Sequence, residues 1–258
     1  MVHINELFDL KGKTAIVTGG GRGLGEQISL ALAESGANIV ICSRKVEACE
    51  ETAEKLKEYG VETLPLACDV TKQEDIESVV RQTVERFGTI DILFNNSGAT
   101  WGAPALEMPL EAWKKVIDVN VTGTFLMAQA VGKVMAKQRS GKIINLASVA
   151  GLGGADPKVM DAIGYSASKG AVITFTKDLA VKLAPYNINV NAIAPGFFPT
   201  KMSKGLIEYN GEQILKRTPL NRFGAEHELK GAALFLAAKA SDYVTGHILT
   251  VDGGMSAM

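Results

Sequence analysis

The sequence has few of the residues that bind metals or cross-link a chain. Its 258 residues include three cysteines and three histidines, and the histidines have no spacing that would gather a zinc site. The cysteines Cys42, Cys49 and Cys68 are odd in number and not closely paired, which argues against a disulfide framework. We therefore expect small buried thiols and no structural or catalytic metal.

Charge of one sign and long apolar runs are also scarce. The formal net charge is −1, so the chain has no overall basic field for binding the phosphates of nucleic acid. Apolar runs such as residues 231–238 are too short to cross a bilayer, and the first residues lack the pattern of a secretion signal. We expect a cytoplasmic protein that binds neither nucleic acid nor membrane.

Short β-rich apolar runs alternate with longer helical patterns along the whole chain, which predicts parallel strands joined by crossover helices. In the third helix an apolar stripe runs from Ile76 to Phe87, and Thr71 with Glu74 predicts a capping box at its start. The strand runs are TAIVT, NIVICS, ETLPLA, DILFNN, GKIINLAS, NINVNAIA and HILTVDGG, and the helix patterns cover residues 25–35, 47–59, 72–87, 110–137, 164–183 and 226–237.

These seven strands and six or more helices predict one fold class. We expect an α/β protein with a single-domain Rossmann fold over residues 1–258, in which helices cover both faces of a doubly wound, parallel, seven-stranded sheet. No linker, repeat or low-complexity segment divides the chain.

A glycine cluster follows the first strand and directly precedes the first helix, reading TGGGRGLG from Thr18 to Gly25. Glycines permit a tight turn there, and the helix N-terminus offers free N–H groups and partial positive charge to a pyrophosphate. A tight turn needs no ligand, but the position between strand and helix favours a dinucleotide site. Its predicted residues are Gly19, Gly21, Arg22, Gly23, Leu24 and Gly25.

The end of the second strand bears on the choice of cofactor. An acidic residue usually binds the adenosine ribose there, but this place holds Ser43, followed by Arg44 and Lys45. Arg22 and Arg44 can clamp a ribose 2′-phosphate, which favours NADP(H) and leaves NAD(H) possible. Alternatively, Arg44 and Lys45 only solvate the start of the next helix.

Four polar residues are candidates for chemistry. Tyr165 and Lys169 are neighbours on one helix face, and an ammonium beside a phenol favours the phenolate needed for acid–base work. Ser148 ends the strand GKIINLAS at the ligand-binding edge of the sheet, where it either stabilises an oxyanion or satisfies local backbone. Asn120 lies in the middle of a helix, where an asparagine needs a buried hydrogen bond or a held water.

Together these motifs resemble the short-chain dehydrogenase/reductase family over almost the whole chain. TGGGRGLG is similar to the TGxxxGxG loop of the family, CDV at 68–70 to its adenine-contacting segment, NNSG at 95–98 to its NNAG signature, and APGFFPT at 194–200 to its PG motif. Asn120, Ser148, Tyr165 and Lys169 fall in order on the family's catalytic tetrad.

The resemblance implies roles for these residues. Tyr165 is the general acid/base, Lys169 tunes it and binds the nicotinamide ribose, Ser148 polarises the carbonyl, and Asn120 holds a water of the proton relay. Besides the glycine loop, Ser43 and Arg44, the implied cofactor-binding residues are Asp69, Val70, Asn96, Gly98, Tyr165, Lys169, Pro195, Gly196, Phe198 and Thr200.

Two segments differ from the family pattern or carry no transferable code. The stretch between Ser148 and Tyr165 is a few residues longer than in most members, and we expect residues 153–161, the inserted segment, to form an added wall of the substrate cleft. Residues 197–217 resemble the family's mobile lid. The basic residues of this lid suit either an anionic substrate or a solvated helix face; they are Lys201, Lys204, Lys216 and Arg217.

The substrate remains open between several small carbonyl or alcohol compounds. The pattern is similar to 3-oxoacyl thioester reductases and to gluconate 5-dehydrogenase-like enzymes, and a broad carbonyl reductase is a third alternative. A non-catalytic dinucleotide sensor is the rival from another class, although all four tetrad positions are filled. Apolar residues on several faces of two helices, among them Phe125 and Phe175, indicate packing against another subunit. The resemblance to the family, whose members are commonly tetramers, implies a homotetramer.

Overall fold

A computed structural model describes residues 2–258. One parallel sheet of seven strands runs through the molecule, in the order β3-β2-β1-β4-β5-β6-β7. The strands are β1 Thr14–Thr18, β2 Asn38–Ser43, β3 Thr63–Ala67, β4 Ile92–Asn95, β5 Gly141–Leu146, β6 Ile188–Pro195 and β7 Ile248–Val251. The helices are α1 Ile4–Leu7, α2 Gly23–Glu34, α3 Val46–Leu56, α4 Gln73–Phe87, α5 Leu110–Ile117, α6 Gly123–Gln138, α7 Ile163–Leu183, α8 Lys204–Lys216 and α9 Lys230–Ala237.

Helices cover both faces of this sheet, as predicted. On one face, apolar residues of α2 and α9, such as Leu32 and Leu236, pack with Phe94 of β4. On the other face, α4 and α6 pack against the neighbouring side chain Leu93, with Val131 of α6 fully buried. The predicted doubly wound α/β fold with seven parallel strands is confirmed.

The strand order reverses between β1 and β4. β1 pairs with β2 on one side and with β4 on the other, both in parallel. Chain connections leave in opposite directions from this point, so a crevice opens outside the carboxyl ends of the two strands, where such folds bind ligands.

The helix predicted over residues 110–137 is interrupted. A π-helical turn, Asp118–Thr122, separates α5 from α6, and the Gly123 N–H donates to the Asp118 carbonyl across it. At Gly123 the chain passes so close to Val70 that a Cβ would lie 2.8 Å from a Val70 methyl carbon. The single π turn places Asn120 on the inside of the molecule, and such turns are frequent at functional sites.

Two expectations about helix and strand ends are wrong. The Thr71–Glu74 capping box does not form, because the Thr71 N–H and hydroxyl both donate to Asp69 Oδ1, at 3.1 and 2.8 Å. Helix α4 then begins at Gln73 with Lys72 as its N-cap and without a side-chain cap. Strand β5 ends at Leu146, and Ser148 caps a 3₁₀ turn over Val149–Gly151 through the Ala150 N–H.

None of the helices between residues 2 and 258 combines the length and apolar character needed to cross a bilayer. In the same part of the chain, no three His, Cys, Asp or Glu side chains are grouped as metal ligands would be.

Candidate active site

A cleft of about 1140 Å³ opens at the carboxyl ends of the strands. Its floor comes from residues that follow four central strands: Gly19 after β1, Asn96 after β4, Ala147 after β5 and Gly196 after β6. All residues predicted for the cofactor site line this cleft, and so do Ser148, Tyr165 and Lys169. The sheet therefore gathers at one edge residues that are far apart in the sequence.

Close backbone packing explains two glycines of the loop after β1. A Cβ at Gly25 would lie 2.2 Å from the Gly19 carbonyl oxygen, and one at Gly21 would lie 2.7 Å from the Ala48 backbone. Any side chain at either position would force α2 away from the sheet or the loop away from α3. These glycines set where α2 begins, which is a structural requirement before any ligand is considered.

The start of α2 faces the cleft with unpaired donors. Its N-cap, Arg22, is extended at φ −170° and makes no side-chain cap within the described residues. The first N–H groups of a helix have no partner inside the helix, and here Gly23, Leu24 and Gly25 all line the cleft. Free N–H groups at the positive end of a helix of 12 residues suit a pyrophosphate, so the residues present fit a dinucleotide.

Asn96 ties the glycine loop to the end of β4. Its side-chain amide donates to the Thr18 and Gly19 carbonyls, at 2.9 and 3.1 Å. In return, the Thr18 hydroxyl accepts the N–H groups of Asn96 and Ser97, both at 3.0 Å. Asn96 therefore stabilises the two strand ends that form the crevice.

Positive charge surrounds the part of the cleft at the end of β2, and this strand does not end in an acidic residue. The Ser43 hydroxyl donates to the Lys45 carbonyl at 2.8 Å. Arg22, Arg44 and Lys45 are exposed cleft residues, and within residues 2–258 none of the three forms an ion pair. Burial alone would raise the pKa of Asp69, but hydrogen bonds from Thr71 and the charge of Arg44 hold it below its usual range.

Three candidate catalytic residues meet at the middle of the cleft. The hydroxyls of Ser148 and Tyr165 lie close enough that Ser148 lowers the pKa of Tyr165. The Lys169 ammonium lies 5.6 Å from the centre of the Tyr165 ring and donates to the Leu146 carbonyl at 2.6 Å. Because Leu146 ends β5 while Tyr165 and Lys169 belong to α7, this hydrogen bond fixes the helix against the strand that Ser148 follows.

Burial dominates the proton affinities at this point. It raises the pKa of Tyr165 against the opposing effect of the Ser148 hydroxyl, so in the chain alone the direction is opposite to the lowered pKa expected from the Lys169 ammonium. Lys169 is itself buried, and burial lowers its pKa to about 8.

Asn120 stands behind the cleft and does not line it. Its Oδ1 accepts the Ala99 N–H at 2.7 Å, and its Nδ2 donates to the Ala99 carbonyl at 2.9 Å and to the Ser168 hydroxyl at 2.8 Å. The side chain thus joins the loop after β4 to α7, close to Tyr165. The water relay implied for Asn120 stays a prediction, and its contacts give it a positioning role.

The inserted segment and α8 together form one wall of the cleft. Asp156 Oδ2 accepts from Arg217 Nη2 at 2.8 Å, and the Val159 carbonyl accepts from the Asn210 amide at 3.3 Å. The expected wall is therefore present, with Gly153, Asp156 and Met160 among its lining residues.

The four basic lid residues divide into two pairs. Lys201 and Arg217 line the cleft, whereas Lys204 and Lys216 pair with Glu208 and Glu212 along the exposed side of α8.

Sequence reasoning missed the last residues of the chain as part of the site. Met255, Ser256 and Met258 line the same cleft, because the turn after β7 carries the chain back over it. The pattern of this short tail contains no signal for such a contact, which depends on where β7 ends.

Comparison with known proteins places the chain among oxidoreductases. Residues 19–256 match the family model described as enoyl-(acyl carrier protein) reductase. The 5-keto-D-gluconate 5-reductase of Escherichia coli K12 is 41% identical over 254 residues, 98% of each chain. A 3-oxoacyl-[acyl-carrier-protein] reductase of Synechocystis is 40% identical over 248 residues, covering 95% of this chain and 98% of that one. The crystal structure of a gluconate 5-dehydrogenase from Burkholderia cenocepacia, in complex with NADP and tartrate, superposes with a TM-score of 0.93 at 37% identity, covering 99% and 100%.

The buried Lys169 makes stability depend on pH in a definite direction. Its folded pKa of about 8 lies below the ordinary 10.5, so between these values the folded chain has released a proton that the unfolded chain keeps. The free energy of unfolding therefore rises with pH in this window. Between pH 8 and 9.5 we expect a gain of roughly 2 kcal/mol relative to Lys169→Met.

Urea denaturation of both proteins at several pH values measures this difference. Lys177→Met, at an exposed position of the same helix, is the matched control and keeps the wild-type pH dependence. Parallel curves for the wild type and Lys169→Met would show that burial does not depress the lysine pKa.

Proposed function

The chain belongs to the short-chain dehydrogenase/reductase family and acts on keto or alcohol groups, and from this premise we propose that it is an NADP(H)-dependent reductase of a keto sugar acid. The observation that carries the proposal is the meeting of Ser148, Tyr165 and Lys169 in one cleft with the open N-terminus of α2. A dinucleotide lying from that helix end across the strand edge brings its reactive ring toward these residues.

The state of Tyr165 suits a general acid. Because burial raises its pKa, the hydroxyl keeps its proton at neutral pH and can donate it to a carbonyl oxygen. Ser148, which lines the cleft beside the same hydroxyl, donates to that oxygen as negative charge develops on it. NADPH, when bound, supplies the hydride. In the reverse direction Tyr165 accepts the alcohol proton.

Lys169 and Asn120 support this proton transfer from behind. The Lys169 ammonium, held by the Leu146 carbonyl, stabilises the phenolate left after transfer and binds the nicotinamide ribose. Asn120 holds Ser168 and the loop after β4 in place, and it orders a water of the relay that returns the proton to Tyr165.

The preference for NADP(H) rests on the charges at the end of β2. Arg22 and Arg44 line the cleft beside Ser43 without competing ion pairs within the described chain, and β2 itself ends in Ser43 and not in a carboxylate that would repel a 2′-phosphate. The NADP complex of the similar gluconate 5-dehydrogenase supports this choice. NAD(H) is the alternative, as the polar Ser43 tolerates a free ribose hydroxyl.

A keto sugar acid is favoured by the reductase and dehydrogenase relatives and by the cationic residues Lys201 and Arg217 of the lid. A second candidate, a 3-oxoacyl thioester, is favoured by apolar residues that line the same cleft. These are Leu152, Val159, Met160, Met202, Leu206 and Met255.

We further propose that residues 1–258 form a single domain whose lid, residues 197–217, moves on substrate binding.

The first experiment follows NADPH and NADH oxidation with 5-ketogluconate and with a 3-oxoacyl thioester. Loss of the proton donor in Tyr165→Phe lowers kcat at least about 100-fold, since general acid–base catalysis contributes this much or more. Tyr243→Phe, at a fully exposed tyrosine, is the matched control and keeps wild-type kcat. Cofactor binding without turnover of either compound would favour the dinucleotide sensor.

The cofactor preference is tested by Arg44→Gln. Removing a charge-assisted hydrogen bond to the 2′-phosphate raises the KM for NADPH about tenfold, while the KM for NADH changes little because that cofactor lacks the phosphate. Arg81→Gln, on the exposed side of α4 where Arg81 pairs with Glu85, changes neither. Equal effects of Arg44→Gln on both cofactors would argue against 2′-phosphate binding.

We also propose a homotetramer in the cytoplasm, a compartment that suits the three free cysteines. Strand β7 is an edge strand, and Phe125 and Val181 expose 43% and 75% of their surface on the outer helices. Unpaired edges and exposed apolar helix faces are commonly covered by subunits. Light scattering is expected to give about four times the chain mass of 27.4 kDa, and a monomeric mass would contradict it.

A further inference from the structure

The wall of the cleft contains an ion pair whose two members come from different segments. Arg217 directly follows α8, and Asp156 belongs to the inserted segment. Their side chains meet at 2.8 Å, and both remain partly open to solvent, at 50% and 34% exposure. Both residues line the same cleft as Tyr165 and Ser148.

The other cations of the cleft belong to different parts of it. Arg22, Arg44 and Lys45 lie at the glycine loop and the end of β2, where the cofactor is proposed to bind. Lys169 is buried and donates to a backbone carbonyl. Arg217 and Lys201 are the two remaining cations, and they lie at the end of the cleft where the substrate is proposed to bind. Arg217 already binds the carboxylate of Asp156 there.

The Asp156 contact can be exchanged at low cost. An ion pair open to solvent contributes only about 0–1 kcal/mol, so a ligand carboxylate competes with Asp156 on nearly equal terms. The contact engages Nη2 alone, while a guanidinium fork presents paired donors to a carboxylate. If Asp156 turns away, its other oxygen still accepts the Lys158 N–H at 2.9 Å, which keeps the local turn.

We propose that Arg217 binds the carboxylate of the substrate and that the Asp156 carboxylate occupies the same position beside Arg217 in the free enzyme. The inference rests on the proposed keto-acid reductase and adds a residue that determines its specificity. Arg217 selects substrates that carry an anionic group away from the reacting carbonyl, and Asp156 raises the concentration of the anionic substrate needed to occupy the site.

A purely structural role for the pair makes a different prediction. If Arg217 and Asp156 only brace the inserted segment against α8, as the Asn210–Val159 contact does, removing either residue loosens the wall in the same way. The kcat/KM values for charged and neutral substrates then fall by the same factor. The competition between Asp156 and substrate instead gives the two substitutions opposite effects.

The test compares 5-ketogluconate with L-sorbose, which has the same carbon skeleton and a hydroxymethyl group in place of the carboxylate. The measured quantity is the kcat/KM ratio of the charged over the neutral substrate. In Arg217→Gln this ratio falls about tenfold, mainly through the KM for 5-ketogluconate. Arg217→Lys keeps the charge but loses the fork, and it recovers part of the ratio.

Asp156→Asn and Lys216→Gln complete the set. Asp156→Asn keeps an acceptor for the Lys158 N–H and removes the competing charge, so the ratio rises about threefold. Lys216→Gln removes a positive charge next to Arg217 that pairs with Glu212 outside the cleft, and the ratio stays at the wild-type value. Thermal midpoints of all four variants establish that each is folded.

The outcomes separate the inference from the function on which it rests. Two results would overturn the role of Arg217 and leave the keto-acid reductase intact, provided that the wild type turns over 5-ketogluconate. One is an unchanged kcat/KM ratio in Arg217→Gln. The other is a fall of this ratio in both Arg217→Gln and Asp156→Asn. A wild-type enzyme that reduces L-sorbose or the 3-oxoacyl thioester but not 5-ketogluconate overturns both.

Discussion

The close approach of α2 to the end of β1 is the constraint on which the site depends. The Gly25 backbone lies so near the Gly19 carbonyl that a Cβ would come within 2.2 Å of it, and the Asn96 amide holds the same carbonyl from β4. This packing points the unpaired N–H groups of α2 into the crevice between β1 and β4. The cleft and the row of free N–H groups at its one end both follow from where the helix starts.

A second constraint is the hydrogen bond that the Lys169 ammonium donates to the Leu146 carbonyl. It connects α7 to β5, and therefore Tyr165 to Ser148, which sits two residues beyond the strand. Asn120 adds a connection from the π turn to Ser168 on the same helix. The arrangement of Ser148, Tyr165 and Lys169 is thus supported by buried polar contacts from three elements, and such networks specify one arrangement because an unpaired member is costly.

The two ends of the cleft are built on different principles. Around the glycine loop, backbone donors and exposed arginines suit a phosphate-rich ligand of fixed shape. In the wall formed by the inserted segment and the lid, a half-exposed ion pair lines the same cleft as several apolar side chains, which suits a smaller ligand with one anionic group. A fold shared by many enzymes thereby acquires its selectivity from segments outside the sheet.

The sequence by itself determined the fold class and the location of the chemistry. The alternation of strand runs with helices predicts a doubly wound parallel sheet. TGGGRGLG, Ser148 and the Tyr165–Lys169 pair are local patterns, and their positions in this fold place them at one edge of the sheet. Only the tertiary structure decided what depends on contacts between distant segments. The proton affinities of Tyr165 and Lys169 follow from burial, the π turn brings Asn120 behind the cleft, and the Asp156–Arg217 pair joins residues 61 positions apart. Desolvation and side-chain pairing across the fold are set by packing, which no short stretch of sequence encodes.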